Sequence, residues 1–181
     1  MIEFPISKAF QFIEPGPVVL VSTAHKGKAN VMTLSWHTVI DFTPLIGCVI
    51  GPWDWSYNAL MATRECVIAV PTVDLLEKVV DIGNCSGKDV DKFARFGLTP
   101  MPAKDVQAPL IAECLANIEC RVVDTTLTDK YGLSILEGVR AWIDLDRKER
   151  RTCHANGDGT FVVDGETIDL KERMVKWQDT L

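Results

Sequence analysis

The sequence predicts a mainly β, α+β protein: an antiparallel barrel with α-helical excursions. Three observations lead there. About five to seven short β-branched or alternating runs are separated by turn chemistry, the pattern of hairpin-connected strands. The clearest helical patterns lie in the middle of the chain, between residues 54 and 96. No βαβα alternation runs through the 181 residues, which disfavours a doubly wound dinucleotide-binding sheet.

Pro15-Gly16-Pro17 leads into Val18-Val19-Leu20-Val21-Ser22-Thr23, a β-branched run. His25-Lys26-Gly27-Lys28 is a turn cluster, and Asn30 to Trp36 follows with period-two alternation, so the pair reads as a hairpin. Leu45 to Ile50 is a third strand, closed by Gly51-Pro52. Ser56 is placed to cap a short helix carrying Leu60 and Met61. Cys66 to Val70 returns to strand and stops at Pro71. Asp74-Leu75-Leu76-Glu77 opens a helix with Leu75, Leu76, Val79, Val80 and Ile82 on one side. Ser86-Gly87-Lys88-Asp89 has the spacing of a capping box and is expected to open another, holding Val90, Phe93 and Phe96 inward. Two longer strands are expected over Cys114 to Asp124 and Leu133 to Leu145. Asn156-Gly157-Asp158-Gly159 is a strong turn before Phe161-Val162-Val163, and Asp169 to Trp177 patterns as a short amphipathic helix.

The length corresponds to about one domain, 1–181, able to bury about 70% of the surface of its unfolded chain. Apolar residues at 47% and charged residues at 24% are ordinary for a soluble globular chain, which argues against disorder, collagen and coiled coil. Nineteen Lys and Arg against 25 Asp and Glu give a net charge of −6. The one dense basic run, Arg147, Lys148, Arg150 and Arg151, is interrupted by Glu149 and reads as a solvated loop, so no nucleic acid is expected as a partner. The longest uncharged apolar stretch, Phe42 to Trp53, is too short to span a bilayer and contains Pro44 and Pro52, so no membrane is expected either. Met1-Ile2-Glu3-Phe4-Pro5 lacks the basic start and apolar core of a signal peptide. Six cysteines without a C-x-x-C pair read as reduced thiols, and the expected location is the cytoplasm. No local spacing encodes a zinc site; Cys153-His154 is the nearest approach.

The sequence contains no G-x-G-x-x-G after a strand, no P-loop, no G-x-S-x-G elbow and no H-E-x-x-H, which disfavours the common nucleotide hydrolases and simple hydrolases. Three segments dense in small donors stand out instead. In Ala29-Asn30-Val31-Met32-Thr33-Leu34-Ser35-Trp36, Asn30, Met32, Leu34 and Trp36 share one strand face, and Val31, Thr33 and Ser35 the other. Such a strand can hydrogen-bond and cover a flat heteroaromatic ring, or be a half-buried hairpin strand with a core tryptophan. Trp53-Asp54-Trp55-Ser56-Tyr57-Asn58 begins a helix and offers an anion site, or simple capping by Ser56. Asn84-Cys85-Ser86-Gly87-Lys88-Asp89-Val90-Asp91-Lys92-Phe93 combines a helix start, a glycine and two lysines near a possible phosphate; Asp89 and Asp91 favour a solvated helix start instead.

Together, A-N-V-M-T-x-S-W, S-Y-N and C-S-G-K-D-V-D-K-F resemble the flavin reductase-like proteins with an FMN-binding split barrel, most of all the flavoredoxin branch. The resemblance continues through Asp129-Lys130-Tyr131, Glu137-Gly138-Val139-Arg140-Ala141-Trp142 and Thr152 to Phe161, and so covers nearly the whole chain. It implies an antiparallel six-stranded split β-barrel with capping helices, forming a homodimer with FMN near the interface. Asn30, Val31, Met32, Thr33, Ser35 and Trp36 would belong to the flavin-lining strand, with Ser56 and Tyr57 near the ribityl phosphate. Cys85, Ser86, Gly87 and Lys92 would contribute from the next loop and helix, and Phe161 would be a ring contact. Where some relatives carry a pair of histidines, this chain has His154-Ala155, and His is absent beside Tyr131.

The implied activity is an FMN-dependent oxidoreductase passing electrons from NADH, NADPH or a redox protein to an acceptor; an FMN-bearing electron carrier is the alternative. The redox chemistry belongs to the cofactor, so no catalytic acid or base is required of the protein. A reactive Cys85 thiol beside the flavin is weighed against a small residue in a tight loop, and the latter is preferred because no second cysteine is near in sequence. Trp142, Trp177 and Phe161 are placed either at the dimer interface or in the core.

Overall fold

The computed structural model describes residues 1–176. Its strands are β1 (Ile2–Phe4), β2 (Val19–His25), β3 (Lys28–Leu34), β4 (His37–Asp41), β5 (Leu45–Val49), β6 (Glu65–Val70), β7 (Pro100–Met101), β8 (Leu110–Ile111), β9 (Ala116–Asp124), β10 (Leu133–Ile143), β11 (Cys153–Ala155) and β12 (Phe161–Val163). The α-helices are α1 (Trp55–Thr63), α2 (Leu76–Gly83), α3 (Lys92–Phe96) and α4 (Thr128–Tyr131). Short 3-10 segments span Ile6–Phe12, Val73–Leu75 and Lys171–Arg173.

The main sheet runs β3-β2-β6-β9-β10-β5-β4, with β1 laid against the end of β10, and every pairing is antiparallel. Its two outermost strands, β3 and β4, are consecutive in sequence and joined only by Ser35 and Trp36. A two-residue link cannot cross the width of a flat seven-strand path, so the sheet must curl until its edges face each other. The edges do not pair, which makes the barrel split. Strands β2, β3, β5, β6, β9 and β10 form its body; β1 and β4 are short additions.

The β2–β3 hairpin follows from its turn. Lys26 (φ 51°) and Gly27 (φ 75°) both take positive φ, as a two-residue type I′ connection requires, and His25 pairs with Lys28. Across the barrel, Val19 and Val21 of β2 meet Cys66, Ile68 and Val70 of β6 and Ala116, Ile118, Cys120 and Val122 of β9, with Leu60 of α1 also in this core. A second core covers the outside of β2, β3 and β6, where Leu20, Val31 and Ala69 pack against Val79 and Ile82 of α2 and Phe93 of α3. Both faces of β2 and β6 are therefore covered, which explains why those strands read as continuous apolar runs. On a third face, Glu119 is fully buried and accepts the amides of Lys104 (3.0 Å) and Asp105 (2.6 Å) and the indole N–H of Trp142 (2.7 Å). Trp142 is thus held within its own chain.

The structure departs from several local expectations. Strand β4 has no counterpart in the sequence reading, because its residues alternate over only five positions at a sheet edge. The strand expected to reach Trp36 ends at Leu34, where Ser35 and Trp36 make the edge crossing. Helix α1 begins at Trp55 with Asp54 in the cap position; the Asp54 carboxylate accepts the Gly51 amide at 3.0 Å, and Ser56 lies inside the first turn. Residues 86–90 form a turn in which Ser86 Oγ accepts the Lys88 amide at 3.2 Å, so Ser86 does not open a helix. Asp91 does so five residues later, accepting the Ala94 amide at 3.1 Å. Of the tail helix only the 3-10 turn Lys171–Arg173 forms, and Trp177 lies outside the described residues. Among the described residues no helix is long and apolar enough to cross a membrane, and no three His, Cys, Asp or Glu side chains are grouped to hold a metal ion.

Candidate functional site

Strand β3, the start of α1, the end of α2 with its following loop, and the first residue of α3 enclose a pocket of about 280 Å³. Asn30, Met32, Thr33, Ser56, Cys85, Ser86, Gly87 and Lys92 all line it. The side chains are tied to the scaffold. Asn30 Nδ2 donates to Ser56 Oγ at 2.9 Å, joining β3 to α1. Thr33 Oγ1 donates to the Val79 carbonyl at 2.6 Å, joining β3 to α2. Gly87 lies so close to Asn30 that a β-carbon there would collide with the Asn30 side-chain amide and lie 2.8 Å from Trp55 Cδ1.

Lys92 carries the charge of this pocket. Its side chain is buried, with 5% of the residue exposed, and Nζ donates to the Ile82 carbonyl at 2.8 Å in the last turn of α2. A cation at the C-terminal end of a helix is favoured by the exposed carbonyls there. Burial holds the ammonium below the ordinary lysine pKa, and the Cys85 thiol and Asp54 carboxylate only partly offset that. Lys92 forms no ion pair among the described residues. Beside it, the backbone N–H groups of Ser86 and Gly87 donate to nothing among the described residues. A buried ammonium and two unpaired amides thus belong to residues that line one small pocket, the donor types suited to an anion.

The other sequence-predicted residues stand elsewhere. Val31 is fully buried beneath α2 in the outer core. Tyr57 packs against the barrel core, and Phe161 against the outer core. Ser35 and Trp36 form the edge crossing, where Trp36 is 69% exposed. None of these five lines the pocket. Gly83, Asn84, Trp53, Asp54 and Trp55 also line it; Asn84 and the Trp53-Asp54-Trp55 run lay inside the donor-rich segments without being assigned a role, and Gly83 lay outside them. The signal lay in the Trp53-Asp54-Trp55 run itself: the ring of Trp53 lies over Gly51, where a side chain would strike it, while the residue remains 71% exposed. His154 lies apart from the pocket, with Nε2 2.7 Å from Asp164 Oδ1 and Nδ1 3.2 Å from the Gly16 carbonyl. Tyr131 is exposed beside Lys130.

At Asn30, Trp55 and Gly87 the pocket meets a larger groove of about 820 Å³, which runs along the other end of β3 to the Lys26-Gly27 turn. Its lining includes Thr23, whose buried Oγ1 has no hydrogen-bond partner among the described residues.

Comparison with known proteins agrees with this geometry. The model of the flavin reductase like domain matches residues 13–160. An uncharacterized protein of Archaeoglobus fulgidus is 39% identical over 111 residues, a match that spans 61% of this chain and 63% of that protein. Among solved structures, the FMN-binding domain of a flavin reductases-like enzyme from Shewanella baltica OS155 superposes with a TM-score of 0.87 and 26% identity, covering 93% of this chain and 96% of that one. The flavoredoxin of Desulfovibrio vulgaris (Miyazaki F) superposes with a TM-score of 0.77 over 85% of this chain and 89% of that one; at 22% identity it shows the shared fold. With a match over most of its length and the split barrel in place, the chain belongs to the flavin reductase like domain family.

Proposed function

We propose that this protein is an FMN-dependent oxidoreductase, taking electrons from NADH, NADPH or a redox protein and passing them to an acceptor. The observation that carries the reading is Lys92, a buried ammonium without a carboxylate partner, beside the two free amides of Ser86 and Gly87. These donors fit a phosphate monoester, and the close approach of Gly87 to Asn30 gives a backbone wall that any side chain would fill. When bound, FMN supplies the hydride and single-electron chemistry. In this reading Lys92, Ser86 and Gly87 would hold the phosphate, Asn30, Thr33 and Ser56 would address the ribityl chain, and Trp36 would meet the ring. Ser35, Tyr57 and Phe161 then contribute at the rim or through a second copy of the chain. The exposed Trp53 at the pocket and Trp36 at the edge crossing support a homodimer, because large aromatics left in water are costly and enriched at interfaces. Six free cysteines, five of them buried, fit a cytoplasmic address.

The test is titration of flavin-free protein with FMN, followed by Lys92→Ala. One-to-one binding that weakens by about tenfold to a hundredfold in the variant is expected, the equivalent of losing a charge-assisted contact. Unchanged binding would remove Lys92 from the site. The alternative, a flavin-bearing carrier, draws support from the same exposed tryptophans as a docking face for a redox partner. Turnover separates the two: an enzyme is reduced quickly by a nicotinamide alone, a carrier only with its partner.

A further inference from the structure

The Pro15-Gly16-Pro17 segment leads into β2 with a single backbone N–H, on Gly16, because proline carries none. Gly16 donates that N–H to the Ile13 carbonyl at 2.9 Å and holds φ at 73°. The carbonyls of Gly16 and Pro17 are taken by two of the chain's three histidines. His37, at the start of β4, donates from Nε2 to the Pro17 carbonyl at 2.6 Å. His154, on β11, has Nδ1 3.2 Å from the Gly16 carbonyl and Nε2 2.7 Å from Asp164 Oδ1. Val18 then donates its amide to the Cys153 carbonyl at 2.7 Å. One strap thus joins β4, which directly follows Trp36, to the β11–β12 hairpin that carries Phe161.

The two rings have opposite proton requirements. A carbonyl and an ionised carboxylate only accept, so His154 makes both bonds only as the doubly protonated imidazolium. Burial opposes the charge of Asp164, but the Thr152 hydroxyl and amide and the His154 ring hold its carboxyl below the usual range. His37 makes its one bond as the neutral Nε2–H form. Its Nδ1 is buried with no partner among the described residues, so a second proton there would bury a charged N–H without an acceptor. Burial holds this ring below the ordinary histidine pKa, and the Pro17 carbonyl only partly offsets that. Opposite His37 on β5 stands the Cys48 thiol, which burial keeps neutral, and Asp41 lies at the exposed far end of β4. On the His154 side Arg151 and Glu149 pair with each other, and burial pushes the Cys153 thiol up.

We propose that His37 and His154 are positioning residues for the flavin ring, holding Trp36 and Phe161 through the Gly16–Pro17 strap only while His37 is neutral and His154 is charged. Acid charges His37 and releases the Pro17 carbonyl. The folded pKa of His37 lies below its unfolded one, so this tie is at full strength above that window and is lost as pH falls through it. Alkali strips the second proton from His154, which keeps its shorter bond to Asp164 and releases Gly16. Between the two limits the strap is closed on both sides. That Trp36 and Phe161 meet a flavin rests on the reading above; the strap itself does not.

Imidazole nitrogen shifts of the three histidines, with amide exchange at Gly16 and Val18 corrected for its intrinsic pH dependence, test the strap in the flavin-free protein. We expect His37 as the neutral Nε2–H tautomer and protection that falls about fivefold or more on each side of a maximum. The acid fall tracks the titration of His37, and the alkaline fall that of His154. His37→Gln keeps an amide donor without a titrating ring and removes the acid fall; His154→Gln keeps a donor for Asp164 and removes the alkaline one. Protection that is flat with pH, or that follows neither ring, overturns the inference in the parent protein alone, whether or not the variants fold. Limbs that persist in both variants overturn it as well. Riboflavin lacks the phosphate and so bypasses Lys92; its affinity should follow the same bell, by about threefold on each limb. A strap that shows the bell while riboflavin affinity stays flat overturns the positioning role. A strap that shows the bell in a protein binding neither riboflavin nor FMN contradicts the flavin reading and leaves the pH-gated strap standing.

Discussion

The side-chain amide of Asn30 occupies the space that a β-carbon on Gly87 would need. Asn30 cannot easily give way, since it is buried on β3 and donates to Ser56 of α1. Gly87 cannot withdraw without moving the Ser86–Gly87 amides from the pocket. One glycine therefore sets the distance between β3 and the Ser86–Gly87 loop.

Gly87→Ala should push Asn30 off Ser56 or lift the loop, a strain of about 1–3 kcal/mol. We expect FMN affinity to fall by about tenfold or more, while circular dichroism remains that of the parent. An alanine variant that binds FMN normally would show that the loop tolerates displacement and does not shape the site.

Lys92 predicts a pH dependence. Burial lowers its folded pKa, so the ammonium is lost at a lower pH than for an exposed lysine. FMN affinity should be full below that depressed value and decline as pH rises through it, by at most about tenfold per pH unit. The flavin-free protein behaves oppositely: the unfolded chain holds this proton to higher pH, so stability gains as pH passes through the window between the two values. Lys92→Arg keeps its charge throughout and should flatten the alkaline fall in FMN affinity. Identical curves for parent and variant, measured by titration from neutral to alkaline pH, would assign the dependence elsewhere.

Cys85 is the only one of the six cysteines that is not buried, and it lines the pocket with its Sγ 3.8 Å from the Ile82 carbonyl. A disulfide reagent such as DTNB should titrate one fast thiol in the native flavin-free protein. Saturating FMN should protect it, and Cys85→Ser should abolish the fast phase while leaving FMN affinity within about threefold. Burial pushes the thiols of Cys48 and Cys120 well above the usual range, so those should react only on unfolding.

Glu119 separates stability from binding. Glu119→Leu would leave the Lys104 and Asp105 amides and the Trp142 indole without their shared acceptor. A loss of about 3 kcal/mol or more follows, which for a chain of this size lowers Tm by about 6–12 °C. FMN binding should persist below the melt, because Glu119 does not line the pocket.

The fold was legible where local chemistry and tertiary demand coincide. Lys26-Gly27 supplies both positive-φ residues of the hairpin turn, and the continuous apolar runs of β2 and β6 reflect cover on both faces. It was not legible at β4, which owes its strand state to pairing with β5, from His37 opposite Cys48 to Asp41 opposite Leu45, rather than to its own pattern. Ser86 and Asp91 show the same limit at a helix start: both can cap, and only the fold decides that Asp91 does. For the site, the three donor-rich segments identified the loops that converge, including Asn30, Gly87 and Lys92. Period-two reasoning also put Val31 on the face opposite Asn30, yet the motif as a whole carried it into the expected flavin strand; the structure buries it beneath α2. Trp53, Asp54 and Trp55 were visible as residues, but their place in the pocket depends on how α1 seats against β2 and β3, which no local spacing encodes.

The central claim is that this pocket holds FMN, and the absorption spectrum of the freshly purified protein tests it most directly. We predict a yellow protein that releases one FMN per chain on heat denaturation and, once stripped, takes the same amount back. A colourless protein that also fails to bind added FMN would contradict the account and leave the Lys92 pocket as a receptor for a different anion.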